Sequence, residues 1–292
     1  ELLEIFKIPL NILPEVKDNI FEFGVTSKNI TDKSIPIHAM IGDQQSAAIG
    51  QNCFNPGDIK ATFGTGCFIL LNTGKKPLKS NNKLLSTIAY KINNITSYAL
   101  EGSIFVSGST MKWLRDELGI IQNINDSEYL AASIKDNNGV YFVPAFTGLG
   151  APHWKPDARG TIAGLTSSSG KAEIVRAALE AVAYQSVDLF DAMAADGQKT
   201  KIVRVDGAMS ANDWLLQFLS SISNTRIERA DNTETTSQGA AILASIGSGL
   251  YSSIEETKKF WKLNKSFIPE MKAKEIKNYR NGWNKAIKRT IL

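Results

Sequence analysis

Twice in this chain an apolar, β-prone run meets a glycine and gives way to a helix-forming segment. Residues 35–42, Ile-Pro-Ile-His-Ala-Met-Ile-Gly, read as a buried strand, and Gln44 to Gln51 as a small-residue helix able to pack closely on a sheet. Ile202-Val203-Arg204-Val205-Asp206-Gly207 reads as a strand entering a glycine turn, with a helix over Asn212 to Ser221. Strands alternating with helices imply a layered α/β domain.

The rest of the chain fits the same plan. Asp58 to Leu71 reads as two strands meeting at Gly64-Thr65-Gly66, and Tyr98 to Glu101 as a short strand. Ile104 to Leu118 reads as a helix ended by Gly119. The strongest helical signal is Lys171 to Met193, where Ile174, Val175, Ala178, Leu179, Val182 and Ala183 share a face. Arg226 to Arg229 reads as a strand and Ser237 to Ile246 as a small-residue helix. In a last helix Ile276, Tyr279, Trp283 and Ile287 lie on one side among many lysines, which predicts a docked helix with a solvated face rather than a membrane-binding one. Residues 1–34 look irregular, with Pro9 and Pro14 as breakers, and residues 139–164 form a Gly- and Pro-rich loop.

Composition narrows the function. A net charge of +4 on 292 residues makes no case for nucleic acid, and no apolar run reaches membrane-span length. Cys53 and Cys67 sit in apolar surroundings and read as free buried thiols, which favours a reducing, cytoplasmic compartment. His38 and His153 lack ligand spacing, so no protein metal site is expected.

The chemistry-bearing runs are Ile41-Gly42-Asp43-Gln44-Gln45 and Thr62-Phe63-Gly64-Thr65-Gly66-Cys67-Phe68. Asp43 enters a helix, where it suits either an N-cap or a general base that takes a proton from an attacking hydroxyl. Gln44 can bond a second hydroxyl of the same substrate. Gly64-Thr65-Gly66 is either a plain hairpin turn or a turn whose amides and hydroxyl meet phosphate oxygens. It is not a Walker loop, because no Gly-Lys-Ser/Thr follows, and it is not a dinucleotide fingerprint, because it joins two strands. Asp206-Gly207-Ala208-Met209-Ser210-Ala211-Asn212 stands at a strand-to-helix junction, where Asn212 or Ser210 can cap a helix and the small-residue turn can also hold a base or ribose.

Taken together, three runs resemble the FGGY carbohydrate kinases, and within them the glycerol-phosphorylating branch. They are Gly42-Asp43-Gln44-Gln45, Phe63-Gly64-Thr65-Gly66-Cys67-Phe68, and residues 139–152, Gly-Val-Tyr-Phe-Val-Pro-Ala-Phe-Thr-Gly-Leu-Gly-Ala-Pro. The second family signature also matches, from Gly160-x-Ile162-x-Gly164-Leu165 to Glu173-Ile174-x-x-Ala177-Ala178-Leu179-Glu180. The resemblance runs from about Pro14 to Tyr251. It implies an α/β fold of the ribonuclease-H-like, actin-like ATPase type, and MgATP-dependent phosphorylation of glycerol to sn-glycerol 3-phosphate. By the same resemblance Asp43 is the catalytic base and a glycerol ligand, Gln44 another glycerol ligand, and Phe68 an aromatic wall. Thr65, Gly66 and Gly108 are implied as phosphate contacts, with Lys112 in the place of a phosphate-side glutamine. Asn212 is implied near the adenosine, with Ala208 in the place of a glycine. The loop Thr26 to Ser34 has neither glycine nor arginine, so the family's fructose 1,6-bisphosphate control is expected to be absent.

The chain begins at Glu1, and the resemblance implies that it is the second domain of a two-domain kinase, the first being absent. Expected divisions are a lead-in over 1–34, the nucleotide-binding domain over 35–255 and a helical tail over 256–292. Because the missing domain would supply half of the glycerol site, the isolated chain is expected to have little or no activity. The expected partners are glycerol and ATP with Mg2+, with no nucleic acid and no membrane insertion; a dimer or tetramer is compatible with the resemblance. The alternatives are another FGGY polyol or sugar kinase, or a nucleotide-binding module inactive without the first domain.

Overall fold

The computed structural model describes residues 1–197, 200 and 202–292. In chain order the first elements are α1 (Leu2–Phe6), β1 (Ile20–Val25), β2 (Pro36–Ala39), α2 (Asp43–Gly50), β3 (Ile59–Phe63) and β4 (Cys67–Gly74). Next come β5 (Leu85–Ile92), β6 (Ile95–Ile104), α3 (Gly108–Asp116), α4 (Asp126–Ala132), β7 (Tyr141–Val143), β8 (Thr161–Ala163) and α5 (Lys171–Ala195). The last third holds β9 (Ile202–Asp206), α6 (Asp213–Ser223), β10 (Arg226–Ala230), α7 (Thr235–Gly247), α8 (Ile254–Thr257), β11 (Leu263–Phe267) and α9 (Ala273–Thr290).

A seven-stranded mixed sheet organises the fold, in the order β11-β10-β9-β3-β4-β6-β5. Strands β3, β9 and β10 run parallel, while β3-β4 and β5-β6 are antiparallel hairpins. Alternation along β3 sends Ile59, Ala61 and Phe63 into the larger core, which they share with residues of α3, α5, α6 and α9. The opposite face is covered by α2 and α7, through smaller clusters around Ala48, Leu70 and Ala99 and around Ile49, Ile242 and Leu243.

Helix α5 is buried on nearly every side, not only on the face that its periodicity marks. Its charged members are paired inside: Arg176 Nε donates to Glu180 Oε1 at 2.8 Å, and Asn137 and Tyr184 donate to Glu180 Oε2 at 2.7 and 3.0 Å. Helix α9 docks through Tyr279, Trp283, Ala286 and Ile287, with Trp283 stacked on Tyr184 at 5.2 Å.

Several elements differ from the sequence reading. The run 35–42 forms only a short, half-exposed strand that pairs with β1, so this hairpin spans residue 34 and stands outside the main sheet. Local apolarity cannot tell which sheet a strand will join. The apolar residues Ile104 to Val106 finish strand β6 and the turn after it, so α3 starts at Gly108, and Gly119 lies beyond the cap at Glu117. Helix α1 and strand β1 fall in the stretch read as irregular, and β7 and β8 in the one read as a loop; β5, β11, α4 and α8 have no counterpart in the sequence reading.

Candidate active site

Gly42 is the N-cap of α2 and Asp43 its first residue. The Asp43 carboxylate is exposed, and Oδ1 accepts the Gln44 N–H at 2.7 Å. One oxygen therefore serves a free helix donor, as a capping group does, while Oδ2 has no protein partner among the described residues. The helix sets Asp43 and Gln44 over the sheet face that carries Lys60 and Thr62 of β3 and Phe68 of β4. Thr62 and Phe68 are direct cross-strand partners. In the next register row Glu101, Leu70, Lys60, Arg204 and Glu228 follow one another across the sheet. Lys60 Nζ donates to Gln44 Oε1, to Thr62 Oγ1 at 3.0 Å and to the Phe68 carbonyl at 3.3 Å. The Phe68 ring itself remains 39% exposed, at the edge of this face. Burial raises the pKa of Glu101 from its ordinary value; the Lys60 charge opposes that rise and the Asp43 charge adds to it.

The turn Gly64-Thr65-Gly66 connects β3 and β4, just before Phe68. The start of α3 is laced onto it: Ser107 and Ser109 N–H donate to the Thr65 carbonyl at 2.9 and 3.1 Å, and Gly108 N–H to the Gly64 carbonyl at 3.0 Å. A Cβ on Gly108 would stand 2.6 Å from the Gly64 oxygen, so only glycine allows this approach. Gly207, at φ 84°, comes equally close to the Phe63 carbonyl, which brings a third turn to the same point. Ser107 Oγ and Thr110 Oγ1 are buried here without a hydrogen-bond partner. Exposed Lys112 lies one helical turn beyond Gly108.

Beside these turns opens a cleft of about 480 Å³, lined by Gly207, Ala208, Arg229, Asp231, Glu234 and Asn264 among others. The cleft carries polar groups from Ser210, Arg229, Asp231, Thr233, Glu234 and Asn264, and its volume leaves room for a base and ribose. Asn212 acts as the cap of α6, its Oδ1 accepting the Leu215 N–H at 2.8 Å, and it stands next to the lining residue Ala211. Asp206, next to the lining residue Gly207, accepts at Oδ2 from Nε2 of Gln51, the C-cap of α2, at 2.8 Å and from Thr235 Oγ1 of α7. Among the described residues no group of three or more His, Cys, Asp or Glu is placed to hold a metal ion.

The structure thus joins Asp43, Gln44 and Phe68 on one side of the β3-β4 hairpin to Thr65, Gly66, Gly108 and Ala208 at its tip. Sequence reasoning missed Lys60, Arg229, Asp231 and Asn264. For Lys60 a signal existed: in Ile59-Lys60-Ala61-Thr62-Phe63 the polar residues alternate with apolar ones, which marks a polar face on an interior strand. Arg229 and Asn264 carried none, because they meet only through the pairing of β10 with β11, where Arg229 Nε donates to Asn264 Oδ1 at 2.9 Å.

Comparison with known proteins identifies the family and the fold. A glycerol kinase of Coxiella burnetii is 52% identical over 291 residues, and one of Gluconobacter oxydans is 52% identical over 292. Both alignments take in all of this chain but only 58% and 57% of those proteins, so the chain spans a little over half the length of these relatives. The crystal structure of Plasmodium falciparum glycerol kinase with ADP superposes with a TM-score of 0.93 at 39% identity, covering all of this chain and 59% of that one. A ligand-bound xylulose kinase of Lactobacillus acidophilus shares the fold, with a TM-score of 0.84 at 22% identity over 99% of this chain and 59% of that one. The fold is accordingly the ribonuclease-H-like α/β domain that the resemblance implied. The model of the "FGGY family of carbohydrate kinases, C-terminal domain" matches residues 59–248, and the chain belongs to that family.

Proposed function

We propose that this chain carries the catalytic base and most of the nucleotide site of an ATP-dependent glycerol kinase acting in the cytoplasm. The observation that carries the reading is the placement of Asp43, Gln44 and Phe68 beside the Gly64–Gly66 turn, and relatives named glycerol kinase support the substrate. ATP supplies the γ-phosphoryl group. The Asp43 carboxylate accepts the proton of a primary hydroxyl as its oxygen bonds to the γ-phosphorus, and the bond to the β-phosphate oxygen breaks to release ADP. Gln44 bonds a neighbouring hydroxyl, and the Phe68 ring covers the carbon chain. Thr65, Gly66, Gly108 and Lys112 face the phosphates, while Ala208 and Asn212 belong to the adenosine end. Mg2+ would be held chiefly by the nucleotide itself rather than by a protein cluster, and would supply positive charge to offset that of the phosphates.

The test is a coupled ADP-release assay of the gene product that carries this chain, with glycerol and a panel of pentitols and pentoses. Glycerol is expected to have the highest kcat/KM; a pentose or pentitol in its place would sink the substrate assignment. On the 292-residue chain by itself the site is open on the solvent side of Phe68, and nucleotide binding without useful turnover is expected.

The wall role of Phe68 has its own test. Phe68→Ala should raise the KM for glycerol about tenfold, the scale of a lost aromatic contact with a small apolar surface. The ADP affinity, read by calorimetry, should stay within about twofold, because the ring lies outside the nucleotide cleft. Equal losses for both ligands would remove Phe68 from the substrate site.

A further inference from the structure

Lys60 is fully buried in the middle of the central sheet, on a strand flanked on both sides. Among the described residues it makes no ion pair within 4.0 Å; burial lowers its pKa, and the charges of Asp206 and Glu101 oppose that at longer range. Burying an ammonium costs several kcal/mol, by the general magnitude, unless every proton finds an acceptor. Here three protons meet three oxygens: Gln44 Oε1, Thr62 Oγ1 and the Phe68 carbonyl. Two of those acceptors belong to residues at the polyol end of the site, and a core-filling residue would not need that arrangement.

The consequence lies in the amide of Gln44. The structure sets the amide oxygen, Oε1, against Nζ, and Lys60 in its ammonium form only donates. The amide Nε2 is thereby turned away from Lys60, and it has no partner among the described residues. Gln44 is left as a hydrogen-bond donor, and the backbone under the Phe68 ring is held by the same cation.

We propose that Lys60 is a positioning residue for the polyol site: it fixes Gln44 as a donor to a substrate hydroxyl oxygen and pins Phe68 beside it. This rests on the reading of Gln44 and Phe68 as substrate contacts. Without Lys60 the amide can flip and present its oxygen, so donor selectivity is lost even though Gln44 is unchanged.

The experiment compares Lys60→Met, Gln44→Ala and the double variant in the gene product that carries this chain. Lys60→Met should raise the KM for glycerol about 10- to 30-fold, lower kcat less, and leave the KM for ATP within about twofold. The penalty of Gln44→Ala should shrink from about tenfold to less than threefold when Lys60 is already Met, as coupled neighbours do. Additive penalties, or equal rises in KM for glycerol and ATP, would overturn the proposal. A second readout needs no substrate and also separates this idea from the choice of glycerol. In a neutron crystal structure of the deuterated gene product that carries this chain, which tells amide nitrogen from oxygen, Gln44 should hold one amide orientation in the native protein and two in Lys60→Met, or in Lys60→Gln should Met prevent folding. A single unchanged orientation in the variant would equally overturn the positioning role, whichever polyol the enzyme takes.

Discussion

Asp43→Asn should lower kcat for glycerol phosphorylation by at least about a hundredfold and up to about ten-thousandfold, the usual contribution of a positioned general base. The substitution keeps the shape of the side chain and an oxygen able to accept the Gln44 N–H, now at 2.7 Å from Oδ1. It removes the basic oxygen that has no protein partner. Loss of one negative charge at a helix N-terminus costs only about 0.3–1 kcal/mol, so the melting temperature should move by no more than a few degrees. Nucleotide affinity should hold within about twofold, since Asp43 is not among the residues lining the cleft. The measurements are steady-state ADP release and calorimetric titration with ADP on the same preparation. A variant that keeps near-native kcat would exclude Asp43 as the base. A variant that loses ADP binding in proportion to rate would point to a shared structural role instead.

Much of the candidate site was legible because its residues lie close together in sequence. Asp43 and Gln44 are adjacent, and Thr65, Gly66 and Phe68 lie on one hairpin whose two strands and turn follow from the alternation of Ile59 to Leu71. What stayed hidden depends on which strands become neighbours. Lys60 reads as an ordinary strand lysine until α2 covers that face and turns Gln44 towards it. The cleft wall is likewise built by β9, β10 and β11, and β11 is too short and polar, Leu-Asn-Lys-Ser-Phe, to announce itself. The strand over 35–42 failed for the converse reason. Its apolar side chains serve a two-stranded hairpin next to α7, where His38 approaches Gly247, and not the central sheet.

Gly239→Ala should destabilise the protein by about 3 kcal/mol or more, although helix propensity alone predicts the opposite sign. In a helix interior alanine is favoured over glycine by about 1 kcal/mol. Gly239 sits within α7 where that helix crosses α2 backbone to backbone: a Cβ there would lie 1.9 Å from the Ser46 carbonyl oxygen. The crossing is reciprocal, since a Cβ on Gly50 of α2 would lie 2.0 Å from the Thr235 carbonyl oxygen of α7. Neither obstacle is a side chain that can rotate away, so the helices must separate, and overpacking of this kind costs about 1–3 kcal/mol or occasionally more. For a chain of this size that lowers the melting temperature by about 6–12 °C. Ala240→Ser, at an exposed position of the same helix, should change stability by no more than about 0.5 kcal/mol. The effect should reach beyond stability. Helix α2 begins at Asp43, and its end and the start of α7 are both tied to Asp206, next to the cleft residue Gly207. Forcing the two helices apart therefore displaces Asp43, the proposed base, relative to the Gly64–Gly66 turn, and a misplacement of about 1 Å is enough to cost about a hundredfold in rate. Folded Gly239→Ala, assayed well below its melting temperature, should accordingly show a loss of kcat that added ADP-induced stability does not restore. A melting temperature equal to or above the native value would show that the helices part freely, and would refute the rigid mounting of Asp43 on this crossing.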